Sequence, residues 1–476
     1  MITFIFNPQS KTPLYEQLYR FVRTEIERGK LNSDEKLPSK RKLAAHLKVS
    51  TVTVETAYAQ LEAEGYIRTV PKSGYYVMPY EGHPSDMPAV LQQETPLTDQ
   101  TNTGYDYDFK TNVVDTGLFP FATWAKLARE VLADSSHELL NVTHPQGSPA
   151  LRSEIAEYLY KFRGITASPE QIVVGAGSEY LIVLLIQLLG RSGTYALENP
   201  CYGKIYKIFK SNDIATVPVA LDEQGLSVAE LEKTQADTVH VTPSHQFPLG
   251  IVMPVGRRLA LLKWAGEKSG RYIIEDDYDS EFRFTGQPIP ALKGLDREDR
   301  VIYINAFTKS LAPSLRISYA VLPRRLMDIY RENFMFYSCT VPNFEQYTLS
   351  KFLSSGSFER HLSRMRKAYK ERRDLLITAI MQSKLAAVTK IVGADAGLHF
   401  LMMVKNGMSE AELIANARKA GVHIYGLSGY YNFPARDMPA GTLVIGYSGV
   451  NPGDMTAAVK RLEKAWSKTD PSLKHT

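Results

Sequence analysis

The 476-residue sequence predicts two folded parts: an N-terminal α+β module of the winged helix-turn-helix kind, and an α/β body carrying a smaller C-terminal α+β subdomain. Three observations predict this. Apolar residues recur at helical spacing between Pro38 and Leu61 and then give way to strand-like runs. Residues 79–105 are rich in Pro, Gln, Thr, Asp and Gly and lack periodicity. From about Asp106 onward, short β-branched runs alternate with amphipathic segments. The expected organisation is therefore a head over 1–78, a linker over 79–105 and a body over 106–476.

In the head, Pro38-Ser39 opens a helix with a good N-cap, and Leu43, Ala44 and Leu47 form its inner stripe. Val49-Ser50 makes the turn. Ser50 then caps a second helix in which Val54, Ala57, Tyr58 and Leu61 face the core. Thr51, Thr53, Glu55 and Thr56 are left outward, where short polar side chains near a helix N-terminus can meet base edges and phosphates in a major groove. Residues Glu64 to Val77 read as a β-hairpin wing bearing Arg68 and Lys72. Charge supports a polyanionic partner: residues 1–78 hold twelve Lys or Arg against eight Asp or Glu, whereas the rest holds 44 against 43.

In the body, the expected strands are Gln171 to Val174, Gly193 to Leu197, Thr238 to Val241, Arg271 to Ile274 and Arg300 to Ile304. Helices are expected at Tyr180 to Leu189, Tyr202 to Phe209 and Val255 to Lys268, which makes the sheet largely parallel with a ligand at its carboxyl edge. A long helical stretch, Phe344 to Met381, short strands and a final helix form the subdomain.

Lys309 is the most informative residue of the body. An amine for an aldehyde, a carboxylate for a pyridinium nitrogen, and cations or free amides for a phosphate are the needs of pyridoxal 5'-phosphate (PLP). Lys309, Asp276 and Arg316 supply them, and Gly175-Ala176-Gly177-Ser178-Glu179 sits between a strand and a helix N-terminus. Asp276 is expected to be the carboxylate in preference to Asp277, because Asp276 and Tyr278 are two apart and share a side of the strand. Tyr202 is placed to stack on the ring.

Two cysteines, Cys201 and Cys339, with no metal-ligand spacing, exclude a disulfide framework and give no metal site. The start lacks a signal-peptide pattern and the longest apolar run, Tyr180 to Leu189, is too short to span a bilayer, so a cytoplasmic protein is expected.

Pro38-Ser39-Lys40-Arg41-Lys42-Leu43-Ala44, Val49-Ser50, Thr53-Val54, Ala57-Tyr58, Leu61 and Glu64-Gly65 closely resemble the winged helix-turn-helix of GntR-type bacterial repressors. That resemblance implies binding to promoter double-stranded DNA, with Ser39, Arg41, Ser50, Thr51, Thr53, Thr56, Arg68 and Lys72 as candidate contacts. Thr51 stands where the family commonly has an arginine.

Residues 106 to about 470 resemble fold-type I, class I aminotransferases, the PLP-dependent transferase fold. The resemblance makes Lys309 the Schiff-base and catalytic lysine, Asp276 the ring-nitrogen partner and Tyr278 the ring-hydroxyl partner. It makes Arg316 a phosphate ligand and Ser178 and Glu179 phosphate-binding amides. His144-Pro145-Gln146-Gly147 with Leu151-Arg152 resembles a segment these enzymes hold close to the partner subunit.

Departures are specific: Phe247 replaces the loop asparagine that donates to the ring oxygen, Ala306 replaces a hydroxyl residue, and Gly441 to Tyr447 lacks the arginine that clamps a substrate carboxylate.

Head and body together resemble the MocR/GabR type of GntR-family regulators, down to Pro243-Ser244-His245-Gln246-Phe247-Pro248. This implies a head-to-tail homodimer that senses an amine, amino acid or B6 vitamer at its PLP-lysine linkage, without net catalysis. Lys204, where the GABA-responsive member has an arginine, is the candidate effector contact, and GABA is not expected to be the effector. The alternative is an active PLP-dependent aminotransferase with an autoregulatory DNA-binding head.

Overall fold

The protein is described from a computed structural model, over residues 4–7, 10, 12–80, 104–134, 137–286, 289–435 and 438–467. The chain forms two compact units, Met1–Thr101 and Asn102–Thr476. Most of the expected linker, residues 81–103, lies outside the described residues.

The first unit comprises α1 (Leu14–Glu27), α2 (Lys40–Leu47), α3 (Thr51–Ala63), β1 (Ile67–Val70) and β2 (Gly74–Val77). Leu18, Val22 and Ile26 of α1 close over Leu43 and Ala44 of α2 and over Val54, Ala57, Tyr58 and Leu61 of α3. Leu47, expected in the same stripe, is only half-buried. Ser39 and Ser50 cap α2 and α3 by accepting hydrogen bonds from the backbone N–H of Lys42 (3.4 Å) and Thr53 (3.1 Å). Lys48 ends α2 in the left-handed region at φ 54°, which turns the chain into α3. The β1–β2 hairpin is antiparallel with Ile67 opposite Val77, and Lys72 lies in its turn at φ 63°.

The helices of the second unit are α4 (Phe121–Ala133), α5 (Pro149–Arg163), α6 (Ser178–Leu189), α7 (Gly203–Ser211), α8 (Val228–Glu232) and α9 (Val255–Gly266). They continue with α10 (Arg324–Asn333), α11 (Asn343–Ser354), α12 (Ser357–Met381), α13 (Glu410–Lys419) and α14 (Met455–Trp466). After β3 (Tyr107–Asp108), its large sheet uses β4 (Ile172–Gly175), β5 (Thr194–Asn199), β6 (Ala215–Asp222), β7 (Gly225–Leu226), β8 (Thr238–Val241), β9 (Tyr272–Asp276), β10 (Val301–Ala306) and β11 (Ser318–Val321). They lie in the order β4-β11-β10-β9-β8-β5-β6-β7.

The pairs β10/β9, β9/β8, β8/β5 and β5/β6 are parallel, and β5, β8, β9 and β10 are mostly runs of buried residues because helices cover both faces. β11 runs antiparallel to both of its neighbours. β6 was not expected as a strand: Pro218 sits in it, exposed, on the side of the sheet bounded only by the two-residue β7.

The helical stretch expected from Phe344 to Met381 is two helices. Gly356, at φ 64°, breaks it between α11 and α12. The smaller subdomain packs α12, α13 and α14 against the antiparallel sheet β12 (Thr389–Val392), β13 (His399–Val404), β15 (Tyr425–Gly426) and β16 (Thr442–Gly446), ordered β12-β13-β16-β15. Its β14 (Val422–His423) pairs in parallel with β3, so the first strand of the second unit belongs to the subdomain formed by its last hundred residues.

Among the described residues no helix is long and apolar enough to cross a membrane. Cys201 and Cys339 are free thiols.

Candidate functional site

The carboxyl edge of the large sheet opens into a cavity of about 270 Å³. Ser178, Glu179, Tyr202, Lys204, Asp276, Tyr278, Lys309 and Arg316, brought from five segments spread over 139 residues, all line it. Lys309 follows β10, and its Nζ donates to Asn112 Oδ1 at 2.5 Å and lies 4.0 Å from the centre of the Tyr278 ring. Desolvation pulls its amine down to about 8, against the opposing pull of Asp279 and Asp276.

β9 ends at Asp276, whose carboxylate faces the cavity with His240 Nε2 at 3.4 Å. Asp277 points the other way, fully buried, onto Arg163 (2.8 Å) and the Tyr303 hydroxyl (2.6 Å). Strand alternation thus puts one carboxylate of the pair in the cavity and the other in the core. Behind His240, Glu198 is held by Thr242 (2.8 Å) and Gln246 (3.3 Å), and burial pushes it up to about 7.

The Tyr278 hydroxyl lies 3.0 Å from His245 Nδ1, and His245 is in turn 2.9 Å from Asp279. Burial, with Asp279 nearby, raises the phenol well above its usual range. A reach from this phenol to a ring hydroxyl therefore has to share the contact with His245. With His399, His245 and Asp279 form a buried group whose possible metal-ligand atoms lie within 4.8 Å of one another. His245 Nδ1 is already engaged by Asp279 and Tyr278, and His399 Nε2 lies 3.0 Å from the Pro248 carbonyl oxygen.

At the other end of the cavity, Gly177 precedes α6 at φ 96°. A Cβ there would overlap the Arg316 guanidinium and the Glu179 carboxylate, so only glycine lets Arg316 approach the helix N-terminus. Glu179 accepts from Lys204 Nζ and from Arg316 Nη2, both at 2.7 Å. Burial favours its neutral form, but the two cations outweigh it and hold the carboxyl down at about 2.

Phe247 is buried edge-on to Tyr202 (5.6 Å), Tyr278 (5.8 Å) and Tyr430 (5.2 Å). On β16, within the segment that lacks an arginine, Val444 packs with Leu401 and Leu427 against Tyr430 and Tyr431. The cluster touches the site through Tyr430, which lies edge-on to Phe247, while Val444 itself is buried and does not line the cavity.

Sequence reasoning missed Asn112, His240 and Glu198. Asn112 stands 197 residues from Lys309 in a left-handed turn (φ 63°), and no local pattern joins them. For His240 and Glu198 the available signal was an ionisable residue inside each of two mostly buried strands, which has to be paid for by a partner.

On the head, Thr51 and Thr56 are exposed on α3, and Thr53 is half-buried with its hydroxyl 2.8 Å from that of Ser50. The Thr56 hydroxyl donates back to the Val52 carbonyl (3.0 Å). Ser39 and Arg41 lie at the start of α2, and Lys40 beside them pairs with Glu55 of α3 (2.5 Å). Arg68 pairs with Asp34 at 2.7 Å and lies over the Tyr76 ring at 5.9 Å, while Lys72 is exposed in the wing turn. Val52, exposed at 68% on the same α3 surface, was not among the residues singled out from sequence.

Residues 107–462 match the family described as "Aminotransferase class I and II", and residues 14–77 match "Bacterial regulatory proteins, gntR family". The HTH-type transcriptional regulator YdeL of Bacillus subtilis (strain 168) is 41% identical over 98% of this chain and 99% of its own length. A probable rhizopine catabolism regulatory protein, MocR, of Rhizobium meliloti is 32% identical over 98% of this chain and 97% of its own. The HTH-type pyridoxine biosynthesis transcriptional regulator PdxR of Corynebacterium glutamicum is 30% identical over 90% and 92%. Among solved structures, the kynurenine aminotransferase of Pyrococcus horikoshii in complex with PMP superposes with a TM-score of 0.66 at 25% identity, over 75% of this chain and 90% of that one.

Proposed function

Since the chain belongs to the GntR-family regulators of MocR type, a helix-turn-helix head joined to an aminotransferase class I and II body, we propose that its body holds PLP at Lys309 to sense an amine or B6 vitamer, while its head binds promoter DNA. The observation that carries this reading is the convergence of Lys309, Asp276, Arg316 and the α6 N-terminus on one cavity. The fit to PLP rests on the chemistry of that set. A lysine brought down to about 8 is partly neutral at physiological pH, and glycine clears the approach to an anion site. The partly buried Asp276 carboxylate faces the same space.

Bound PLP supplies an aldehyde that condenses with amines and a ring that withdraws electrons. Lys309 supplies the attaching amine. Asp276 would hold a proton on the ring nitrogen, with His240 Nε2 3.4 Å from its carboxylate. Tyr202 would cover a ring face, and Arg316 with the first-turn amides of α6 would take the phosphate. Phe247 offers no side-chain hydrogen-bond donor to the ring oxygen, and the 441–447 segment offers no arginine to a substrate carboxylate. Both favour sensing over transamination. PdxR is named for pyridoxine biosynthesis and MocR for rhizopine catabolism; these names support a B6 vitamer and an amino compound, respectively, as effector classes.

A homodimer completes the reading. Asn343 stitches the 137–141 segment by donating to the carbonyls of Glu138 and Asn141, and around it Leu140, Val142 and Phe344 are exposed, a surface suited to a second copy. Promoter binding places the protein in the cytoplasm.

The test is reconstitution of the purified protein with PLP. A visible absorption band that is absent in Lys309→Ala and shifts with an added amine or vitamer is expected. A wild type that stays colourless with PLP overturns the cofactor reading, and steady keto-acid formation from an amino acid panel overturns the sensing one.

A further inference from the structure

We propose that Glu179 is the site's own counter-anion, displaced from Arg316 by the phosphate of an incoming ligand and retained by Lys204. The inference rests on the PLP reading and adds a control on ligand entry to it. Glu179 is the second residue of α6, in the first turn, where a negative charge is favoured by the helix dipole. Its two oxygens are divided between two cations: Oε1 takes Lys204 and Oε2 takes Arg316, each at 2.7 Å. Apart from Glu179, the Arg316 guanidinium meets the Ala176 carbonyl oxygen at 3.2 Å. In this arrangement a carboxylate of the chain holds the positions that a ligand anion would take.

A phosphate reaching the α6 amides and Arg316 meets that carboxylate at hydrogen-bonding range of the same guanidinium. Two anions at hydrogen-bonding range of one guanidinium repel each other, and half-exposure of Arg316 screens that repulsion only in part. Glu179 has a paired route of retreat. Its Oε1 is already on Lys204, so releasing Arg316 leaves it paired. Lys204 then carries the charge of Glu179 while the phosphate is bound, so an effector carboxylate meets a cation whose charge is already largely offset. The pocket therefore recognises its effector by the amino group, with the carboxylate contributing little. The acid is specific to this role: a glutamine at the same position would cap the same turn without competing for the cations.

The experiment compares PLP with pyridoxal, which lacks the phosphate, binding to wild type, Glu179→Gln and Lys204→Met, read by equilibrium dialysis. Glu179→Gln is expected to tighten PLP by about tenfold or more, the weight of one charge-assisted hydrogen bond that no longer has to be broken. Pyridoxal affinity stays within about twofold, since no anion competes with Glu179. Lys204→Met weakens PLP, because Glu179 loses its retreat and stays on Arg316. PLP binding that is unchanged or weaker in Glu179→Gln overturns the proposal, as does an equal gain for both ligands. Failure of wild type to bind PLP at all overturns the underlying cofactor reading instead.

Discussion

Replacing Asn112 by Asp changes the charge next to Lys309 with almost no change of shape. Lys309 sits at about 8 because desolvation opposes its charge, and its Nζ donates to Asn112 Oδ1 at 2.5 Å. At pH 7 roughly a tenth of the amine is therefore neutral and able to attack an aldehyde. A carboxylate in contact with an ammonium raises its pKa by about 1–3 units, so the neutral fraction at pH 7 drops by about 10- to 1,000-fold in Asn112→Asp. The readout is the initial rate of PLP capture by stopped-flow absorbance across pH 6 to 10. Wild type should gain about tenfold per pH unit below the inflection near 8 and level off above it, while Asn112→Asp inflects at higher pH. Asn112→Leu, which removes an acceptor that favours the charged amine, should inflect below wild type. A wild-type inflection near the ordinary lysine value, or the same inflection in wild type and Asn112→Asp, refutes the argument from desolvation and contact.

Two further outcomes are expected. Arg163→Met strands the buried Asp277 carboxylate that it meets at 2.8 Å and should cost about 3–5 kcal/mol in urea unfolding, with Asp277→Asn in the same chain restoring part of it; a loss below about 1 kcal/mol would show that the pair is not load-carrying. Arg68→Ala and Lys72→Ala should weaken binding to promoter DNA across sequences and each reduce the salt slope by about one; unchanged affinity in both would remove the wing from DNA binding.

Much of the head is readable from local chemistry. Ser39 and Ser50 cap helices, and Val54, Ala57, Tyr58 and Leu61 lie on one helical face, so a few adjacent residues decide each feature. The α6 end of the cavity is readable for the same reason, since Gly177, Ser178 and the start of α6 are contiguous. The choice between Asp276 and Asp277 also follows from strand alternation alone.

What stayed hidden depends on segments far apart in sequence. Asn112 reaches Lys309 because the residues just after β3 run beside the large sheet, while β3 itself is pinned to β14 near the other end of the unit. The division of Glu179 between Lys204 and Arg316 requires α6, α7 and the turn after β10 to meet at one edge. Periodicity, capping and charge act over a few residues, so the sequence by itself determined the two domain types and picked out residues that line one cavity. Tertiary packing alone decided which charges face one another across that cavity, because desolvation and ion pairing depend on distances that sequence spacing does not set.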